Sequence, residues 1–330
     1  MAASVPDTDR LRGSIPPLVT PFRAGKVDER AYAKLVEFQI SQGSHGILVN
    51  GTTSEPSTLT IEERNRLVEV AVETARRRIL VVAATGSQSL AETEVLTAHA
   101  ARVGVDALLI VTPYYIRPPQ RGLIDYFIGV TGRLEIPWLV YHIPGRTAVG
   151  VTIETLASLR DRSKTFVGIK HASNDIGFVS ECMIRFGPHF RVFVGLEELS
   201  FPMMALGACG LMNAVGNVAP RPLAELCLAV WKNDLARARL VHDRLFEVNK
   251  ATFLDTNPIP IKYMMKRLGL LVENEHRLPM APATPEVAQR LDEVLRRCGL
   301  INKEGKAVRR ISVEREGRSF RKAVALSGSN

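Results

Sequence analysis

The 330-residue sequence is most informative at first through what it lacks. It has no apolar run approaching the roughly 20 residues that cross a bilayer, so no membrane-spanning helix and no membrane partner is expected. Met1 to Arg12 carries Asp7 and Asp9 and no apolar core, so a secretory leader is not expected and a cytoplasmic location follows. Cysteine is scarce. Cys182, Cys209, Cys227 and Cys298 form no C-x-x-C pair and have no histidine at metal spacing, which argues against a disulfide framework and a zinc centre. No G-x-G-x-x-G follows an apolar run, so a dinucleotide cofactor has no support. The net charge of +9 suggests nucleic acid until it is located. Lys303 to Lys322 holds eight basic and three acidic residues, leaving the body with only +4. No basic helical stripe or interleaved aromatic set accompanies that excess, so residues 302–330 read as a solvated, poorly ordered tail rather than a nucleic-acid surface.

What is present is an ordinary globular composition, 46% hydrophobic and 23% charged. Apolar strand-like runs begin near Ile15, Gly46, Ile79, Ala107, Trp138, Phe166, Phe190 and Leu211, each followed by an amphipathic stretch. This repeat of about 30 residues predicts an α/β fold, a parallel sheet closed as a TIM (β/α)8 barrel over residues 13–233. An open doubly wound sheet is the alternative, and the even spacing speaks against it. Helix starts are legible too. Thr60-Ile61-Glu62-Glu63 reads as a capping box, and Ser89 and Asp175 each precede a periodic apolar pattern. After the eighth unit, Leu235 to Thr252, Ile259 to Leu268 and Pro285 to Arg297 look helical without intervening strands. They predict a C-terminal helical extension over residues 234–301.

In a barrel, chemistry sits at the C-terminal ends of the strands. Phe166-Val167-Gly168-Ile169-Lys170 reads as a buried strand delivering a lysine to that edge. An amine among apolar neighbours loses hydration in its charged form, which favours the neutral nucleophile that attacks carbonyls to form Schiff bases. A lysine merely leaving its strand for water is the alternative. Tyr141 ends the neighbouring strand at a matching position. The second strand ends in Asn50-Gly51-Thr52-Thr53-Ser54-Glu55, a small hydroxyl-rich turn whose amides suit a carboxylate. Arg146 follows the Pro144 turn, where a guanidinium fork can hold a carboxylate.

These motifs occur together: G-T-T-x-E at Gly51 to Glu55, T-P-Y-Y at Thr112 to Tyr115, Y-x-x-P-x-R-T at Tyr141 to Thr147 and G-I-K at Gly168 to Lys170. In order and spacing the sequence resembles the dihydrodipicolinate synthase and N-acetylneuraminate lyase family from about Gly13 to Ile301. Asn257-Pro258-Ile259-Pro260-Ile261-Lys262 and Leu278-Pro279-Met280 resemble the helical region of the synthases.

The resemblance implies a lyase in which pyruvate forms a covalent imine with Lys170, no other cofactor being needed. Tyr141 would be the general acid/base, completed by a hydroxyl relay through Thr53 and Tyr115. Gly51, Thr52, Gly195 and Met212 would line the pyruvate site, and Arg146 would hold the carboxylate of an aldehyde acceptor. For the synthases that acceptor is aspartate semialdehyde, on the route to lysine. An aldolase or dehydratase of a 2-keto-3-deoxy sugar acid, or a non-catalytic pyruvate sensor, are the other readings. Tyr115 would reach into a neighbouring subunit, which implies a homodimer or homotetramer. Two departures stand beside the key strands. His142 replaces the usual asparagine and His171 the usual glutamate, which suggests either imidazoles that alter the pocket or histidines hydrogen-bonded at the barrel rim. Ile61 and Arg64 stand where lysine-regulated synthases carry histidines, which weakens the case for feedback inhibition by lysine.

Overall fold

The structure, a computed structural model, describes residues 9–308. Most of the expected tail, residues 309–330, falls beyond them. Its first residues, however, are folded: Ile301 bridges Ala307, and the Val308 amide donates to the Leu300 carbonyl at 2.9 Å.

The chain opens with β1 (Gly13–Ser14), a small antiparallel hairpin of β2 (Phe22–Arg23) and β3 (Lys26–Val27), and helix α1 (Glu29–Gln42). Strands β4 (Gly46–Val49), β5 (Leu80–Ala84), β6 (Ala107–Val111), β7 (Trp138–His142), β8 (Phe166–His171), β9 (Arg191–Val194) and β10 (Gly210–Leu211) follow. Between and after them lie α2 (Ile61–Ala75), α3 (Leu90–Val103), α4 (Gln120–Thr131), α5 (Pro144–Thr147), α6 (Ile153–Arg162), α7 (Ile176–Phe186), α8 (Ser200–Ala205) and α9 (Pro220–Trp231). All strands except the hairpin lie parallel in one eight-stranded sheet, ordered β1-β10-β9-β8-β7-β6-β5-β4. The two ends meet: Pro17 bridges Leu48, and the Leu48 amide donates to the Pro16 carbonyl at 2.9 Å. The sheet is therefore a closed barrel, as the spacing predicts. No helix among the described residues is long and apolar enough to cross a membrane.

The caps that the sequence announces are made. Thr60 and Glu63 exchange capping-box hydrogen bonds at α2, and the Ser89 and Asp175 side chains accept from the amides of Glu92 and Phe178. Each fixes where a helix starts after its strand. The strands alternate between two apolar layers. Leu48, Val82, Leu109, Leu139 and Phe193 fill the barrel, while Ile47, Val81, Leu108, Val140 and Val192 pack outward against the helices.

One strand breaks this alternation. On β8, Phe166 packs outward and Val167 inward, yet Ile169 packs outward again. The register explains it: Trp138 pairs with Phe166 but Leu139 pairs with Gly168, so β8 holds one extra residue. The bulge resets the phase, and Lys170 consequently turns into the barrel. Gly168 is what permits it, since a Cβ there would lie 2.0 Å from the Arg191 carbonyl oxygen on β9.

Helices α10 (Leu235–Ala251), α11 (Ile259–Arg267) and α12 (Pro285–Arg297) form the extension. Val248, Ile261, Met264 and Leu291 belong to the same buried cluster as the outer barrel layer, so the extension shares the barrel's core. Lys262 of α11 is fully buried, with its ammonium 2.8 Å from Glu55 Oε1 and bonded to the Glu275 carbonyl.

Because backbone cannot yield as a flexible side chain does, Gly168→Ala is expected to lower stability by at least about 1–3 kcal/mol, the range for overpacking. Denaturant unfolding checks this. An unchanged midpoint would show that the β8–β9 approach has slack.

Candidate active site

The phase of β8 and the parallel register of β7 decide the site. Tyr141 and Lys170 are register partners at the C-terminal edge, both pointing inward and both buried. Lys170 is 3% exposed, and its Nζ lies 4.2 Å from the centre of the Tyr141 ring. An ammonium is attracted to that π-face, and a neutral amine there has the phenol as its neighbour. Gly195, just beyond β9, leaves the space: a Cβ on it would stand 3.0 Å from Lys170 Cε and 2.8 Å from Ala172 Cβ. Met212 is buried in the inner layer with Tyr141 and Phe193, so it packs the barrel beneath the site.

Opposite these strands, Gly51 leads into a 3₁₀ turn over Thr52–Ser54. Thr52 Oγ1 is 3.2 Å from the Tyr141 hydroxyl, which couples turn and phenol. This corrects the expected relay. Thr53 faces the other way, its hydroxyl accepting from Asn257 Nδ2 at 3.0 Å, so Thr52 and not Thr53 meets Tyr141. Tyr115 also stands apart within the protomer. It is 88% exposed, with a left-handed φ of 75°, a conformation that costs a tyrosine about 1–3 kcal/mol and persists only where something over-determines it.

Gly51, Thr52, Tyr141 and Arg146 line one cavity of about 730 Å³. Arg146, on α5, stands exposed at its rim, its Nη2 donating to the Asn257 carbonyl at 3.4 Å. It is therefore a solvated guanidinium beside the cavity rather than a buried charge. Arg64 reaches another part of the same cavity. It is 5% exposed and spans from Glu92 Oε1 at 3.0 Å to the Ala84 carbonyl, and burial pulls its pKa down against the Glu92 charge.

The two histidines do not enter the cavity. Being one residue beyond Tyr141 and Lys170, His142 and His171 point to the outer face, where both rings pack on Phe178 of α7. Of the two readings of these histidines, that alternation overturns imidazoles in the pocket and leaves histidines hydrogen-bonded at the rim.

Glu55 and Lys262, which the motifs contain without a role, hold the turn together with His276. Glu55 accepts from Lys262 at 2.8 Å and lies 3.1 Å from His276 Nδ1, all three side chains fully buried. Burial pushes the Glu55 carboxyl up, but the His276 hydrogen bond and the Lys262 ammonium outweigh it and hold the group below its ordinary pKa. Glu197 is a second buried acid. Its Oε1 accepts from the Ala214 amide at 2.7 Å, while Oε2 has no partner. Burial drives its pKa up to about 7, against backbone amides and the charge of Lys170, which pull it down. Lys262 was legible as a lysine amid Ile259, Ile261, Met264 and Met265; Glu197 had no such signal.

Comparison with known proteins gives this geometry its relatives. The sequence profile of the dihydrodipicolinate synthetase family matches residues 10–298. The 4-hydroxy-tetrahydrodipicolinate synthase of Thermus thermophilus is 44% identical over 298 residues, 90% of this chain and 99% of that protein. The crystal structure of dihydrodipicolinate synthase from Aquifex aeolicus superposes with a TM-score of 0.86 at 42% identity, covering 88% of this chain and 98% of its own. A chloride-inhibited dihydrodipicolinate synthase from Acinetobacter baumannii, solved in complex with pyruvate, matches with a TM-score of 0.85 at 33% identity over 88% of this chain and 99% of its own. Similar in sequence and backbone along nearly all of the described residues, the chain belongs to the dihydrodipicolinate synthetase family.

Proposed function

We propose that this protein is a Schiff-base lyase that condenses pyruvate with L-aspartate 4-semialdehyde to give 4-hydroxy-tetrahydrodipicolinate. The observation that carries the reading is the Lys170–Tyr141–Thr52 alignment, an amine and two hydroxyls in sequence beside the cavity. The relatives' shared name supports the choice of acceptor.

The Lys170 amine attacks C2 of pyruvate, and loss of water leaves an imine. Protonated, the imine draws electrons from the methyl group, which gives up a proton to become the enamine carbon. That carbon adds to the aldehyde, and the acceptor's own amine then closes onto C2 and releases Lys170. Tyr141 handles the protons. A phenol that passes protons needs a partner to exchange them with, and the Thr52 hydroxyl is placed to be one. The 3₁₀ turn leaves the amides of Thr52 and Thr53 without partners inside the turn, a fit for the pyruvate carboxylate. Gly195 and Met212 shape the floor. We infer a cytoplasmic location, a reading that the free thiols of Cys182, Cys209 and Cys227 support.

Arg146 at the rim takes the carboxylate of the acceptor. Since hydrogen bonds to charged groups contribute about 1.5–3 kcal/mol, Arg146→Ala is expected to lower kcat/KM for aspartate semialdehyde by roughly tenfold to a hundredfold. Pyruvate binding should be unaffected. Steady-state kinetics of product formation measure both. Wild-type enzyme that ignores the semialdehyde but cleaves a 2-keto-3-deoxy sugar acid would overturn the acceptor assignment and leave the imine chemistry standing.

The exposed, strained Tyr115 supports assembly. We infer a homodimer at least, in which Tyr115 of one subunit completes the Thr52–Tyr141 relay of its neighbour. Mixing the inactive variants Tyr115→Phe and Lys170→Ala under conditions of subunit exchange is expected to restore part of the activity. Exchange without recovery would place both residues in one subunit's site.

A further inference from the structure

The outward face of the catalytic strands carries a pair of groups that the mechanism does not use. His142 and His171 are register partners immediately after Tyr141 and Lys170, and their Nδ1 atoms lie 3.1 Å apart. Only one proton fits between two nitrogens at that distance, so one ring donates and the other accepts.

The neighbours decide which. His171 Nε2 stands 3.0 Å from the Asp175 carbonyl oxygen, which can only accept, so Nε2 carries the proton. In the neutral ring Nδ1 of His171 is then the acceptor, and His142 Nδ1 is the donor. His142 Nε2 is left unprotonated, pointing at Gly150, where a Cβ would stand 2.9 Å away. The rings are enclosed on the other side by Phe178, whose centroid is 4.9 Å from His171 at an interplanar angle of 7° and 5.2 Å from His142. Asp175 at the α7 N-terminus is the charged side chain that faces them. The strand residues on the opposite face are Tyr141 and Lys170, and the Gly150 segment brings no charge.

We propose that this imidazole pair is a one-proton clamp that fixes the relative positions of Tyr141 and Lys170, making His142 and His171 positioning residues for the imine chemistry. The backbone shows why a side-chain tie matters here. Past His142 and His171 the strands part, with the last cross-strand bonds running from the Ala172 amide to the His142 carbonyl at 2.9 Å and from the Gly195 amide to the His171 carbonyl at 2.8 Å. The clamp bridges β7 and β8 at that edge and links β8 to the start of α7 through Asp175. Adding a proton to His171 Nδ1 replaces the donor–acceptor pair with two opposed donors and parts the strands, whereas a proton on His142 Nε2 leaves the pair intact and brings a charge to the Gly150 segment.

Burial lowers both histidines, His142 to about 4 with the His171 charge adding to the effect, against the pull of Asp175. The unfolded chain therefore binds more protons than the folded one as pH falls from about 6.5 toward 4, and the stability that goes with burying the two neutral rings is present above that window and lost through it.

The kinetic part of the test rests on the proposed lyase activity, and a spectroscopic part stands free of it. Nitrogen-15 histidine spectra of the whole protein at neutral pH should show two neutral rings of opposite tautomer, Nδ1–H at His142 and Nε2–H at His171. A charged ring, or the same tautomer at both, overturns the clamp whatever the activity is. His142→Leu, which removes the donor, is expected to cut kcat by about tenfold to a hundredfold, the cost of a small misplacement. Its KM for pyruvate should change far less, and borohydride should still trap pyruvate on Lys170. His142→Asn restores an N–H near the Nδ1 position and should recover most of kcat while flattening the loss of stability between pH 6.5 and 4. Equal kcat in Leu and wild type, or no difference between Leu and Asn, overturns the positioning role. Failure of borohydride trapping in wild type overturns the lyase reading instead.

Discussion

The inward turn of Lys170 depends on one extra residue in β8. Side chains alternate strictly along a strand, so without the bulge at Val167–Gly168 the phase set by Phe166 would send Lys170 to the helices and Ile169 into the barrel. The bulge in turn depends on Gly168, which alone fits against the β9 backbone. The pairing of Lys170 with the inward-pointing Tyr141 and the outward direction of His171 both follow from this reset.

The second constraint comes from outside the barrel. The turn that carries Thr52 is held from behind by the extension, through Asn257 on Thr53 and through Lys262 and His276 on Glu55. A buried ion pair adds little net stability, because desolvation cancels much of the attraction. Breaking it by removing one partner costs about 3–5 kcal/mol, since a charge is left unpaired. The cluster is thus better understood as a device of position than of stability, and it explains why three helices without strands follow a finished barrel.

Much of this was legible. Strand starts read from apolar runs and turn residues fall within one or two residues of those observed, because each buried parallel strand is nearly continuous in apolar residues and helices such as α2, α3 and α7 begin at a side-chain cap. The outward direction of His142 and His171 lay in the same alternation, since whatever follows an inward-pointing residue on a strand points out, and that signal excludes the pocket imidazoles that the two departures suggest. Thr52 against Thr53 was not: in a 3₁₀ turn neither a period of two nor of 3.6 applies, and only tertiary contacts choose which hydroxyl meets Tyr141. The bulge escaped for a related reason, since an extra residue in one strand shows only against its neighbour. Lys262 and Glu55 lie 207 positions apart, a pairing that no local pattern encodes.

The central claim is that Lys170 is the nucleophile, presented to pyruvate by the bulged strand beside Tyr141. Its most direct test is peptide mass spectrometry of the intact wild-type protein after borohydride reduction in the presence of pyruvate. The account predicts a single reduced pyruvyl adduct on the peptide bearing Lys170, formed without any acceptor present. An adduct on another lysine, or none at saturating pyruvate, would contradict it.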